Sequence, residues 1–175
     1  MVRIKRCNDE LKADRPTVGE VEFIPRVPIS ILVENVRSVH NVGSIFRSAD
    51  GFGAEKIYIT GYTPYPPRED LHKTALGAED AVPWEYIENP IEAAKTIKKQ
   101  NIPLVLIEQT NDSQSIYDMD FQFPICFIVG NRRGSQSDLE GNFDLILLCL
   151  AQIQIRMWKS GEYPDLWWGL FIVVA

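Results

Sequence analysis

Apolar and polar residues alternate in blocks along this chain, and the blocks have two different periods. Ile29-Ser30-Ile31-Leu32-Val33 is a short apolar run, as expected of a strand buried on both faces of a parallel sheet. From Asn41 to Phe52 the apolar positions are Val42, Ile45, Phe46 and Ala49, the stripe of an amphipathic helix. Gly53 follows as its C-cap. Lys56-Ile57-Tyr58-Ile59-Thr60 reads as a second strand. Between Gly61 and Asp70, Pro64, Pro66 and Pro67 exclude regular structure and predict a loop. A short helix is predicted over 71–76. Asn89-Pro90 opens a clearer one through Gln100, with Asn89 as N-cap and Pro90 at the first helical position. Pro103–Ile107 and Pro124–Val129 are further strands, the latter ending at Gly130. Beyond them the pattern predicts a short helix over 135–141, one strand or more over 145–155 and a final buried helix over 166–174.

Strands alternating with helices predict an α/β fold, a parallel sheet with helices on both faces. Such sheets bind ligands outside the carboxyl ends of their strands. The candidate site loops are therefore those after residues 33, 60, 107, 129 and 155.

At 175 residues the chain suits one domain. Residues 1–27 are polar and aperiodic and read as an extension before a domain at 28–175. The net charge of −6 excludes a protein that coats nucleic acid by bulk charge, but not one with a local basic patch. Arg3, Lys5, Arg6, Lys12 and Arg15 form either such a patch or a solvated tail. Three cysteines without CxxC spacing argue against a zinc site or a disulfide scaffold, and Cys126 and Cys149 sit in apolar runs as core thiols. Two histidines with no cysteine or carboxylate cluster predict no metal site. With no signal-like start and no apolar run of about 18 residues, a cytoplasmic protein without a membrane segment is expected.

The densest chemistry lies in Glu34-Asn35-Val36-Arg37-Ser38-Val39-His40-Asn41, where the first strand delivers a ligand. Asn41 is expected to cap the following helix, Gly43 lets backbone approach closely, and Arg47 lies nearly two turns on, facing the same cleft. A forked guanidinium suits phosphate or developing alkoxide charge; a surface ion pair is the alternative for an arginine on a helix.

The segment VENVRSVHNVGSIFRSADGFGAEKIYITG, continued by GYTPYPP, LHKTALGAEDAVPWE, LVLIEQT and FIVGN, closely resembles the TrmH-like (SpoU class) RNA 2′-O-ribose methyltransferases of the SPOUT superfamily. The match covers residues 28–131 and begins with that family's first motif. The resemblance implies a deep trefoil knot at the carboxyl end, a homodimer gripping RNA across two subunits, S-adenosylmethionine as methyl donor, and methylation of a ribose 2′-hydroxyl in tRNA or rRNA. It implies catalytic roles for Asn41 and Arg47 and a donor-facing role for Gly130 in motif 2. Glu108 and Gln109 fall beside the adenosyl group, and Ile155 and Met157 in the motif-3 frame. Arg37, His40 and Lys73 are candidates for RNA contact.

Two departures stand against the family pattern. Motif 2 usually reads close to Gly-Asn-Glu, whereas here Gly130-Asn131 is followed by Arg132-Arg133. Motif 3 usually runs Ile-Pro-Met to Ser-Leu-Asn, whereas here Ile155-Arg156-Met157 leads to Tyr163-Pro164-Asp165. Genuine divergence and a shifted reading frame both produce such a break. The alternative is thus a catalytically impaired SPOUT-fold protein that binds RNA and dimerises with a damaged donor pocket.

Overall fold

The computed structural model describes residues 7, 18–21, 23–108, 114–115, 118, 120–130 and 146–149. The described elements are α1 (Val18–Val21), β1 (Val27–Glu34), α2 (Val39–Phe52), β2 (Ala54–Thr60), α3 (Glu69–Ala75), α4 (Ala78–Ala81), β3 (Trp84–Ile87), α5 (Pro90–Lys98), β4 (Leu104–Ile107), β5 (Gln114–Ser115), β6 (Ile125–Gly130) and β7 (Ile146–Cys149). The expected helices at 135–141 and 166–174, the knot, and the motif-3 residues Ile155 and Met157 lie outside the described residues, as does Gln109.

The strands form one sheet in the order β3-β2-β1-β6-β4-β7-β5. Every recorded pairing is parallel. Alternate side chains on each strand point to opposite faces, and both faces are covered. Ile31, Val33, Ile57 and Ile59 pack with Phe46 of α2 and Leu71 of α3. Leu32, Tyr58, Leu106 and Ile128 pack on the other side with Ala94 and Ile97 of α5. This is the expected parallel α/β architecture with helices on both faces. Lys95, Lys98 and Lys99 stay on the exposed side of α5. Cys126 is a buried core thiol, and burial pushes its pKa up.

Local chemistry explains where α2 and α5 begin and end. Asn89 caps α5, its Oδ1 accepting from Ile91 and Glu92 N–H with Pro90 at the start. Gly53 closes α2 in the left-handed region, φ 71°, which glycine enters without a Cβ penalty. The start of α2 differs from expectation. The capping oxygen belongs to Ser38, which accepts from Asn41 N–H at 3.3 Å, so the cap lies three residues earlier than expected and Asn41 sits inside the first turn of α2. Serine and asparagine cap about equally well; the extended backbone at Ser38, φ −78° and ψ 116°, decides between them.

Gly43 also acts differently from expectation. A Cβ there would lie 2.3 Å from Thr74 Oγ1 and 2.9 Å from the Ala75 amide nitrogen. The closeness that glycine permits is used against α3, not against a ligand. Gly43→Ala is expected to force the two helices apart and cost about 1–3 kcal/mol as an overpacking change. A thermal melt checks this, and an unchanged Tm would show that α3 yields freely.

Four described elements are absent from the sequence expectation: α1 and α4, each a single turn, the two-residue β5, and β3, a four-residue strand paired among the described residues to β2 alone. Arg26, assigned to the extension, donates to Ala54 C=O at 3.1 Å and Ala81 C=O at 2.7 Å, tying the chain before β1 to β2 and α4.

Candidate active site

Strand order decides where a site forms. From β1 the chain moves outward to β2 and β3, then crosses to β4 on the far side of β6. The direction of winding reverses at the β1–β6 pair, and parallel sheets bind ligands outside strand carboxyl ends at such reversals. Glu34 ends β1 in register with Gly130 at the end of β6 and with Thr60 at the end of β2. Leu106 pairs with Ile128, so Glu108, two residues on, leaves β4 level with Gly130. Glu108 is half-buried, while Glu34 is fully buried. The structure thus brings together Gly130 and Glu108, which the sequence singled out, and adds Glu34 at the end of β1, to which sequence reading assigned no role.

The loops after β1 and β2 are braced to each other. Asn35, held at φ 51°, accepts from Tyr62 N–H through Oδ1 at 3.3 Å. Thr63 Oγ1 accepts from Val36 N–H at 3.0 Å. The Arg37 guanidinium lies over the Tyr62 ring, 5.3 Å from its centroid. Gly61 makes the brace possible: its φ is 60°, and a Cβ would meet Asn35 Oδ1 at 2.0 Å. From below, Tyr86 donates its hydroxyl to Gly61 C=O at 2.9 Å, and burial pushes the Tyr86 phenol pKa up.

Arg47 and His40 are exposed on α2, and Asn41 is half-buried. A six-residue step along a helix advances about 9 Å and leaves about 120° between side-chain directions. Asn41 and Arg47 therefore stand on one helix but not side by side, and no hydrogen bond joins them. Arg47 has no hydrogen bond or ion pair among the described residues. None of the described residues holds its guanidinium, and its exposed fork of donors suits an incoming anion.

Lys73 falls elsewhere. It lines a cleft of about 620 Å³ with Pro66, Pro67, Leu71, His72 and Glu79, formed by the loop after β2 and the helices α3 and α4 rather than by strand ends. There the buried Glu79 carboxylate accepts from Gly77 N–H at 3.0 Å and pairs with His72 Nδ1. The forked Arg68 guanidinium holds the exposed Asp70 carboxyl below the usual carboxylate range. His72, Glu79 and Asp80 offer ligand atoms within 4.8 Å of one another. Sequence spacing did not reveal this group, because its members come from two short helices joined at Gly77.

Comparisons with known proteins bear on these strand ends. Residues 28–156 match the SpoU rRNA Methylase family. The 23S rRNA (guanosine-2′-O-)-methyltransferase RlmB of Blochmanniella floridana is 26% identical over 105 residues, 60% of this chain and 41% of that protein. Among solved structures, the A. aeolicus TrmH/SpoU tRNA modifying enzyme superposes with a TM-score of 0.65 at 20% identity, covering 81% of this chain and 70% of that one. The SpoU methyltransferase AviRb from Streptomyces viridochromogenes, in complex with the cofactor AdoMet, superposes with a TM-score of 0.59 at 21% identity, covering 72% and 52%. The chain spans about two fifths of the length of the curated relatives it matches, 41% of the first and 43% of another.

Proposed function

The chain belongs to the SpoU rRNA methylase family, and from that premise we propose that it transfers a methyl group from S-adenosylmethionine to a ribose 2′-hydroxyl of tRNA or rRNA. One observation carries the reading. The exposed guanidinium of Arg47 stands on the helix that leaves β1, and β1 and β6 end in register at Glu34 and Gly130 where the winding reverses. The helix proposed to handle the hydroxyl and the strands proposed to hold the donor thus meet at one sheet edge.

The described part of that edge suits the donor. Gly130 puts no side chain beyond its own backbone, and the half-buried Glu108 offers carboxylate oxygens as acceptors for ribose hydroxyls. Gln109, Ile155 and Met157 are proposed with them. The donor supplies an electrophilic methyl group when bound; the rest falls to the chain. A guanidinium carries donors and no acceptor, so Arg47 is no general base. Its role is to hold a phosphate beside the target ribose and to stabilise negative charge as it develops on O2′. Asn41, at the start of the same helix, orients the substrate. Arg37 in the loop before this helix and His40 in its first turn add exposed donors, and Lys73 adds one on the cleft beside α3.

A cytoplasmic site of action belongs to the same proposal, and the family resemblance supports a dimer with RNA held across two copies; sedimentation of the full chain checks the latter. Among the described residues no helix is long and apolar enough to cross a membrane. The whole reading is tested by incubating the protein with methyl-labelled donor and total RNA from cells lacking its gene. Label in RNA at a ribose is expected. RNA binding without label, together with no heat on titration with donor, would give the impaired alternative that Arg132-Arg133 and Tyr163-Pro164-Asp165 raise.

A further inference from the structure

Arg37 enters the reading above only as an exposed donor and Tyr62 not at all, yet the two form a pair set in a braced loop. Tyr62 is 51% exposed although it follows a strand whose last residue, Thr60, is fully buried. Its backbone is fixed by Asn35, and its neighbour Gly61 accepts from Tyr86. Tyr65, in the same loop, stacks on Tyr86 with ring centroids 4.3 Å apart. The loop is thus pinned on both sides, and the ring is presented rather than left to find its own place. The guanidinium of Arg37, itself exposed, lies 5.3 Å from the ring centroid.

A rigid, half-exposed aromatic ring braced by a cation matches the chemistry of an unpaired nucleotide. Bases stack on aromatic side chains and guanidinium planes, and sequence hardly matters because every base has a π-face. The cation faces the adjoining phosphate. The overall charge of −6 gives RNA no general attraction, so local contacts of this kind have more to do. A protein partner would be met by a broader apolar surface than one tyrosine ring.

We propose that Tyr62, held by Arg37, is the platform on which one unpaired base of the RNA substrate stacks, so that the enzyme selects a single-stranded or looped target. The proposal rests on the RNA methyltransferase reading and names a specificity residue for it. The test uses the full chain and a mixed-sequence 12-nucleotide single-stranded RNA carrying fluorescein for anisotropy, and the same RNA with 2-aminopurine to report stacking. Tyr62→Leu is expected to weaken binding by roughly 5- to 150-fold, the worth of one base stack, and to abolish the quenching of 2-aminopurine. Tyr62→Phe keeps the ring and is expected to keep both signals. Binding to a blunt duplex RNA should not distinguish the variants.

Tyr62→Leu that binds and quenches like the wild type would overturn the platform alone. So would equal losses in the Leu and Phe variants accompanied by a lowered Tm, which is the mark of a structural role. A wild-type chain that binds neither RNA would overturn the RNA reading and the platform with it.

Discussion

Arg47→Ala is expected to lower methyl transfer to RNA by about 100- to 1,000-fold, the cost of removing one preorganised group that stabilises developing charge. The fold should not notice. Arg47 is exposed and has no hydrogen bond or ion pair among the described residues, and surface substitutions of that kind stay within about ±0.5 kcal/mol. Alanine is also the better helix former. Loss of rate with an unchanged Tm and an unchanged heat of donor binding therefore separates a chemical role from a structural one. Single-turnover transfer of labelled methyl is the measurement, since product release then does not mask the step. Arg47→Lys refines it. Lysine keeps the charge but not the fork, so an intermediate rate is expected if the guanidinium grips phosphate in two places. A lysine variant at full rate would remove the forked contact, and an alanine variant at full rate would remove Arg47 from the site.

The same residue shows how far the sequence reached. The apolar stripe Val42, Ile45, Phe46, Ala49 predicted which face of α2 is buried, and all four are buried; Arg47 falls on the open side by the same periodicity. The cap of α5 and the left-handed close of α2 at Gly53 were legible because Asn-Pro and Gly carry local physics that tertiary contacts seldom overrule. Ser38 was not chosen over Asn41 because both residues cap, and only backbone angles separate them. β3 was missed for a different reason: Trp84-Glu85-Tyr86-Ile87 is a short edge strand with one polar member, too brief for a period to show.

The site divides along a similar line. Residues placed by one element, such as Arg47 on α2 or Gly130 at the end of β6, could be named from sequence. Features made by two elements could not. The Asn35–Tyr62 and Val36–Thr63 braces span 27 residues each, and the closeness at Gly43 depends on Thr74. A glycine in a helix announces that something comes near, but not what. Here it is α3, which fixes α2, and so Arg47, against the neighbouring helix.

Phe46→Ala carries this dependence to its largest effect on stability. Phe46 has no exposed surface and belongs to the cluster of Ile31, Val33, Ile57, Ile59 and Leu71, so it joins α2 to β1, β2 and α3 at once. Removing a buried phenyl ring costs about 3–5 kcal/mol, since transfer energy is lost and a cavity remains. Folded domains hold only about 5–15 kcal/mol in all. For a chain of this size each kcal/mol lowers Tm by about 2–4 °C, so a fall of roughly 6–20 °C is expected. Phe46→Leu, which leaves less empty volume, should fall by much less. A loss under about 1.5 kcal/mol for alanine, the range of volume-conserving swaps, would mean that α2 is not held by this contact. Activity gives the second readout. Below its lowered Tm, Phe46→Ala should retain the ability to bind donor but transfer methyl more slowly, because Arg47 is the next residue and inherits any drift of the helix. A variant that melts early yet transfers at the wild-type rate would show that Arg47 finds its substrate by the reach of its own side chain, without needing α2 held in place.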